Sequence, residues 1–383
     1  MALVDVRSQA KLRSPAAMVK HLQEHSLDLR FSAGVWFFSP GGGRFHDSYL
    51  DRSLEMEEIM EMAAGLMKYG LVGLEAHYPN EVGPHNIELW ESFIKDTGMK
   101  LVMLAPHIFF DRQFEWGALS SPMPEARRAA INRTKETLEM CKHLDVEIAV
   151  VWPGIDGYEN PFGLDLAAAR HRFCSGLAEA MDAVPGVRVA EEPKPYEPRG
   201  HILYGTTAEG ILMGIKTESL LKNEANRKLL DRGHAMVCLN PEVGHVHMGF
   251  EDLPSALSLV CEHGRLAHTH WNSQPLGNYD QDLNVGVVSP EQTEAALYSL
   301  KMRGYDGYFG LDLNPERMPV RQALLNCMDV MKAMNDRIDA LDHESIVWAT
   351  NHPDQSRGYI EAMLTRARYP KAKCLSPMPK LDR

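Results

Sequence analysis

Apolar residues along this chain switch repeatedly between short continuous runs and stripes at helical spacing. The short runs, at residues 31–37, 71–77, 100–105, 147–152, 187–192, 235–240, 266–271 and 308–312, read as eight strands. Between them, residues 54–68, 86–95, 124–144, 165–184, 253–262 and 290–302 place apolar side chains at the spacing of amphipathic helices. Ser121–Pro122 and Ser289–Pro290 read as helix entries, and Gly70, Gly264 and Gly304 as helix exits. This β-then-α alternation predicts an α/β protein, a (β/α)8 barrel over residues 31–317 with right-handed crossovers. An open doubly wound sheet is the alternative. For a dinucleotide it needs a GxGxxG after the first strand, and Gly41–Gly43 lacks that spacing. Residues 1–30 read as a short amphipathic lead-in. Residues 318–383 read as a helical extension that the barrel does not need: a long helix to Leu341, a link at His352–Pro353, another helix and a polar tail. That extension packs either on its own barrel or, as an oligomerisation arm, on a neighbouring subunit.

Composition narrows the partners. A chain of 383 residues with 44% hydrophobic content can bury a large core. Its formal charge of −12 argues against nucleic acid, whose phosphates call for a basic surface, and suits small neutral substrates and divalent cations. The six cysteines are dispersed without a CxxC pair, and Cys141, Cys238 and Cys261 lie in apolar segments as small core residues. No signal-peptide pattern opens the chain and no apolar run reaches membrane-spanning length. The expectation is a reduced, cytoplasmic protein with neither membrane nor nucleic-acid partner.

Metal-type ligands gather in the second half, each at or near the end of an apolar run: Glu192, Glu242, His245, His270, Asp280, Asp282 and Asp312. In a parallel barrel such strand ends meet at one face. Alternation along the fifth strand puts Glu192 on the face of Ala190 and turns Glu191 away. Pro193 and Pro195 then stop regular pairing and leave Lys194 on the side of Glu192. Pro241 and Gly244 predict a tight loop around Glu242 and His245, so the two need not follow helical geometry. His268 and His270 share one strand face, opposite Trp271. Asp280 and Asp282 repel each other unless a cation or proton intervenes. Alone, each piece also reads as a capping, loop or solvated surface residue; together at four successive strand ends they predict a divalent-metal site for Mg²⁺, Mn²⁺ or Co²⁺.

The segments EPKPYEPRG, NPEVGH and YDQDL, with their mutual spacing, resemble the metal-dependent xylose isomerase family over roughly residues 31–315. The resemblance implies an aldose–ketose isomerase that binds an open-chain monosaccharide and moves hydride between C1 and C2 with the help of two divalent ions. It also implies a homo-oligomer, a dimer or a dimer of dimers. Glu192, Glu242 and Asp312 match ligands of the first ion, Glu242 bridging both, while His245, Asp280 and Asp282 match ligands of the second. Lys194 matches the lysine that contacts the sugar's O1, and His77 the histidine tied to ring opening; with Asp282 they form the expected catalytic set. Trp36, Phe109 and Trp152 match aromatic walls of the pocket. His107 and Asn272 join them as expected sugar-binding residues. Phe45 is similar to an aromatic residue that crosses from a neighbouring subunit.

The departures concern the pocket more than the metals. His270 stands where xylose isomerases carry an aspartate ligand and resembles the related rhamnose isomerases. A neutral ligand there lowers the site's negative charge by one unit and predicts a shift toward Mn²⁺ or Co²⁺. Asn80 replaces the acidic partner expected after His77, with Glu81 next to it; Asn314 replaces an expected lysine. Ala105 and His107 replace a threonine and an asparagine. The alternatives are a sugar 3-epimerase or related lyase on the same barrel with one ion, a metal-dependent endonuclease, and a non-catalytic sugar-binding protein.

Overall fold

A computed structural model describes residues 3–39, 47, 50–315 and 318–381. Its centre is an eight-stranded parallel sheet. The strands are β1 (Phe31–Gly34), β2 (Leu71–Tyr78), β3 (Lys100–Pro106), β4 (Ile148–Val151), β5 (Arg188–Glu191), β6 (Val237–Leu239), β7 (His270–Trp271) and β8 (Phe309–Leu311). β1 pairs with both β2 and β8. The remaining edges, β6 and the run leading into β7, meet through parallel bridges at Leu239–Leu266 and Glu242–His270. Leu239 N donates to Arg265 O at 2.8 Å and Ala267 N to Leu239 O at 3.2 Å, so the sheet closes on itself.

Alternation sorts the strand side chains. Leu101, Leu104, Ala149, Val151, Val189, Val237 and Leu239 point outward into the main core beneath the helices. Met103, Ala105, Ile148, Val150, Ala190, Cys238 and Ala267 point inward and form a separate cluster inside the barrel. Several of these inward residues are small, and Val6 from the amino-terminal segment joins their cluster. The supposed lead-in is therefore a plug. Fully buried Arg188 secures it, donating to Val4 O at 2.6 Å and Ala235 O at 2.9 Å, while Gln9 Nε2 donates to Leu266 O at 3.3 Å.

The expected helices form at Met56–Ala64, Ile87–Thr97, Pro124–His143, Leu166–Ala183, Leu253–Glu262 and Pro290–Arg303. Two more, Thr207–Leu220 and Glu224–Asp231, follow β5 where the sequence pattern showed none. The first carries glycines that weaken its helical signal, and packing explains one of them: a Cβ at Gly210 would lie 2.4 Å from the Glu191 carboxylate. Helix Val320–Asp339 follows β8, packs beside Pro290–Arg303 and buries Ala323, Leu324, Cys327, Met328 and Met331. It is the eighth helix of the barrel. Helix His343–Asn351 lies against Pro15–Glu24, and the last helix, Tyr359–Arg368, buries no side chain. Five cysteines are buried and free, Cys374 is exposed, and no helix among the described residues is long and apolar enough to cross a membrane.

Replacing Arg188 with methionine removes the guanidinium that donates to Val4 O and Ala235 O. The expected outcome is a loss of about 3 kcal/mol in chemical unfolding together with faster amide exchange at residues 4–9. An unchanged unfolding midpoint would show that the plug is held by packing alone.

Candidate metal centre and sugar pocket

The C-terminal ends of the strands surround a cavity of about 410 Å³. Its lining includes Glu192, Lys194, Glu242, His245, His270, Asp280, Asp282 and Asp312, together with Trp36, His77, His107, Phe109 and Trp152. Local structure explains how each arrives. β1 stops at Gly34, sooner than the sequence pattern predicts, and a 3-10 turn at Val35–Phe37 brings Trp36 over the cavity, where its Nε1 donates to Asp312 Oδ1 at 2.9 Å. Glu192 follows β5 on the inward face, and Glu191 points outward, as alternation requires. The tight loop expected at Glu242 is instead the start of a short helix, Val243–Met248, with Glu242 at its N-cap. One helical turn therefore carries His245 back toward Glu242, Nε2 lying 3.1 Å from Glu242 Oε2.

Three candidate ligand sets have donor atoms within 4.8 Å of one another, and two of them line the cavity: Glu192, Glu242, His270 and Asp312, and then Glu242, His245 and Asp280; the third, Glu75, His268 and His270, lies behind it. Glu242 belongs to both of the cavity sets. Asp282 adjoins the second set through Asn272, whose Nδ2 donates to Asp282 Oδ1 at 2.7 Å and to Glu242 Oε1 at 2.8 Å. Asp282 holds a left-handed backbone conformation (φ 45°), and its carbonyl accepts from Asn314 N at 2.9 Å. Asn272 is fully buried and also accepts from Gly244 N at 2.8 Å. It was expected to touch sugar; with its amide committed to the ligands, it stands behind them.

Electrostatics test whether a cation fits. Burial, followed by the charges of Asp280, Asp282, Asp312 and Glu192, pushes the Glu242 carboxyl well above its usual range. Burial and then Asp280 and Asp312 do the same to Asp282. Asp280 Oδ1 is buried and accepts no hydrogen bond among the described residues. Lys194 is the local cation, with Nζ 2.7 Å from Asp280 Oδ2 and 5.2 Å from the centre of the Trp152 ring. Burial opposes its charge, but Asp280, together with Glu242 and Asp282, offsets this and raises its pKa. Crowded, desolvated oxygens with imidazoles among them are the donor set of a divalent cation.

The aromatic wall is continuous: Phe109 meets Trp152 edge-on at 4.8 Å, and His77 lies 4.7 Å from Trp36, centre to centre. His107 packs against Phe109 at 4.4 Å. Burial, then His77, lowers the His107 pKa. Asn80 does not supply the acid for His77. Glu81 does, its Oε2 lying 2.8 Å from His77 Nδ1 and accepting from His77 N at 2.6 Å. Phe45 lies outside the described residues.

One buried acid escaped the sequence reading. Glu75, fully buried on β2, has Oε1 2.9 Å from His268 Nε2 and Oε2 2.7 Å from His270 Nε2. Its signal was available: a carboxylate inside an apolar strand, two residues before His77 and on the same face.

A family model described as xylose isomerase-like TIM barrel matches residues 63–334. A xylose isomerase of Thermus thermophilus is 28% identical over 297 residues, covering 73% of this chain and 70% of that protein. Among solved structures, the IOLI protein with a binding zinc atom superposes with a TM-score of 0.58 at 14% identity, covering 82% of this chain and 100% of that one. A D-tagatose 3-epimerase-like protein gives 0.57 at 15% identity, covering 81% and 100%. At such identity the solved structures speak for the fold.

Stripped with a chelator and titrated with Mn²⁺, the chain is expected to bind two ions. Asp312→Asn should weaken only the first, Asp280→Asn only the second and Glu242→Gln both. At a free concentration of 100 Kd, each ion should add about 2.7 kcal/mol to stability. Equal losses of both ions in all three variants would count against a shared-ligand arrangement.

Proposed function

The chain belongs to the xylose isomerase-like TIM barrel family, and from that premise we propose that it is an aldose–ketose isomerase acting on an open-chain monosaccharide. The observation that carries this reading is the pair of ligand sets sharing Glu242, with Lys194 beside them in the same cavity. Divalent ions held by Glu192, Glu242, His270 and Asp312, and by Glu242, His245, Asp280 and Asp282, would supply Lewis acidity toward sugar oxygens and water. The remaining chemistry falls to the chain's own side chains.

Ring opening comes first. Burial opposes ionisation of Glu81, but its contacts with His77 hold the carboxyl below its usual range. The carboxylate accepts a hydrogen bond from His77 Nδ1–H, leaving Nε2 free to take the O1 hydroxyl proton and pass it to the ring oxygen as the bond between C1 and that oxygen breaks. Lys194 then directs an ammonium hydrogen bond at the carbonyl oxygen and stabilises the negative charge that builds there as hydride moves from C2 to C1, while the O2 hydroxyl proton, lost as the C2 carbonyl forms, is taken on the carboxylate side of the cavity at Asp282 and returned to O1. Asp282 and Asp280 anchor the side of the cavity next to that ammonium. Trp36, Phe109 and Trp152 present apolar faces to the sugar's C–H edges and keep bulk water out, which strengthens each polar contact.

A sugar 3-epimerase is the competing activity, since two solved neighbours bear such a name, a D-tagatose 3-epimerase-like protein and a D-psicose 3-epimerase. Aldoses deuterated at C2 and, separately, ketoses deuterated at C3, each drawn from pentoses, hexoses and 6-deoxyhexoses and supplied with Mn²⁺, separate the two. The expected outcome is that the aldose becomes a ketose that keeps deuterium at C1; conversion of the labelled ketose to its C3 epimer with solvent hydrogen at C3 would move the assignment to the epimerase. Lys194→Met should lower kcat by about 10²- to 10³-fold while both ions still bind. Full turnover in that variant would remove Lys194 from the chemistry.

A further inference from the structure

We propose that Glu75 is a positioning residue for the first ligand set, acting through His270 and returning to that set the negative charge that an imidazole ligand lacks. The inference rests on the two-ion reading above and concerns a residue that lines neither the cavity nor either ligand set of that reading.

Glu75 lies one layer below the ligands. Its carboxylate is divided between two imidazoles, His268 Nε2 on Oε1 at 2.9 Å and His270 Nε2 on Oε2 at 2.7 Å. All three side chains are buried. On the other edge of the His270 ring, Nδ1 faces Glu192 Oε2 at 3.0 Å and Asp312 Oδ2 at 3.2 Å. An ionised acid at Nε2 keeps the hydrogen there, so Nδ1 is the nitrogen whose lone pair serves a cation between Glu192 and Asp312.

The barrel makes room for this arrangement. A Cβ at Gly310 on β8 would lie 2.6 Å from Glu75 Oε1 and 2.8 Å from both His268 Nε2 and His270 Cδ2. An interior position that elsewhere in the barrel holds an apolar side chain is thus given over to an acid and two imidazoles. Filling space would not require this, because burying charged groups costs more than burying hydrocarbon of the same volume. The arrangement makes sense as the outer support of a cation site. Glu192, Glu242 and Asp312 supply three carboxylates directly, and Glu75 supplies a fourth one hydrogen bond further out. The loss of charge expected from a histidine ligand is therefore recovered.

The test is Mn²⁺ titration of metal-stripped protein, followed by calorimetry and electron paramagnetic resonance, in an Asp280→Asn background that isolates the first set. Glu75→Gln keeps the size and removes the charge; its affinity for that ion should fall by about 10- to 100-fold. In the otherwise wild-type chain, the second ion should bind Glu75→Gln as it binds wild type. His268→Gln perturbs the same buried layer but spares the Glu75–His270 contact, so it should retain first-ion affinity close to that of its parent. Unchanged first-ion affinity in Glu75→Gln overturns the inference, as does an equal loss in His268→Gln or a matching loss of the second ion, since these mark a general structural defect. A wild-type chain that binds no ion at all overturns the two-ion reading as well.

Discussion

Carboxylates that cannot be solvated and cannot easily coexist are the constraint around which this protein is built. Glu192, Glu242, Asp280, Asp282 and Asp312 converge on one cavity at the open end of the barrel, and Glu242 touches both halves of the cluster. Their mutual repulsion in a desolvated place is a stability cost that a folded chain carries only with a compensating charge. Lys194 meets part of it. Divalent cations would meet the rest. Other features serve to hold these oxygens still: the short helix that returns His245 to Glu242, the left-handed turn at Asp282, and Asn272, which ties Glu242 to Asp282.

Beneath that layer the barrel is closed in an unusual way for its size of strand. β7 has only two regular residues, and closure on β6 relies on single bridges, one of which joins Glu242 to His270. The link that completes the barrel therefore also sets the spacing of the two ligand sets. Rigidity comes from the far end, where Val6 fills space among small inward residues and Arg188 ties the amino-terminal segment to the strand ends. A scaffold of this kind lets the catalytic face be assembled from loops without loosening the site.

Substituted positions in the pocket follow a common physical logic. Where Asn80 removes an acid next to His77, Glu81 reaches the same ring nitrogen from one residue further on. Where His270 removes a carboxylate from the ligand shell, Glu75 stands behind it. In both cases a carboxylate lies within hydrogen-bond distance of an imidazole nitrogen. Motif comparison registers such changes as losses; the distances show which acid stands beside each ring.

Periodicity in the sequence was enough to determine the barrel, because eight apolar runs alternating with helical stripes admit few other arrangements. It also determined which face of β5 carries Glu192, since strand side chains must alternate. It failed where local preference and tertiary packing disagree. Helix Thr207–Leu220 was hidden by glycines, one of which, Gly210, closely approaches Glu191, and Val320–Asp339 resembled an appendage until its apolar face was seen against the barrel. The candidate ligands were legible because each lies at a strand end. Their partners were not: Glu75 and His270 are 195 positions apart, and Trp36 and Asp312 are 276 apart. A one-dimensional pattern records what a residue can do chemically and which way it faces along its own element. Only closure of the barrel decides which distant side chains share a hydrogen bond, and so which nitrogen of His270 is left to meet a cation.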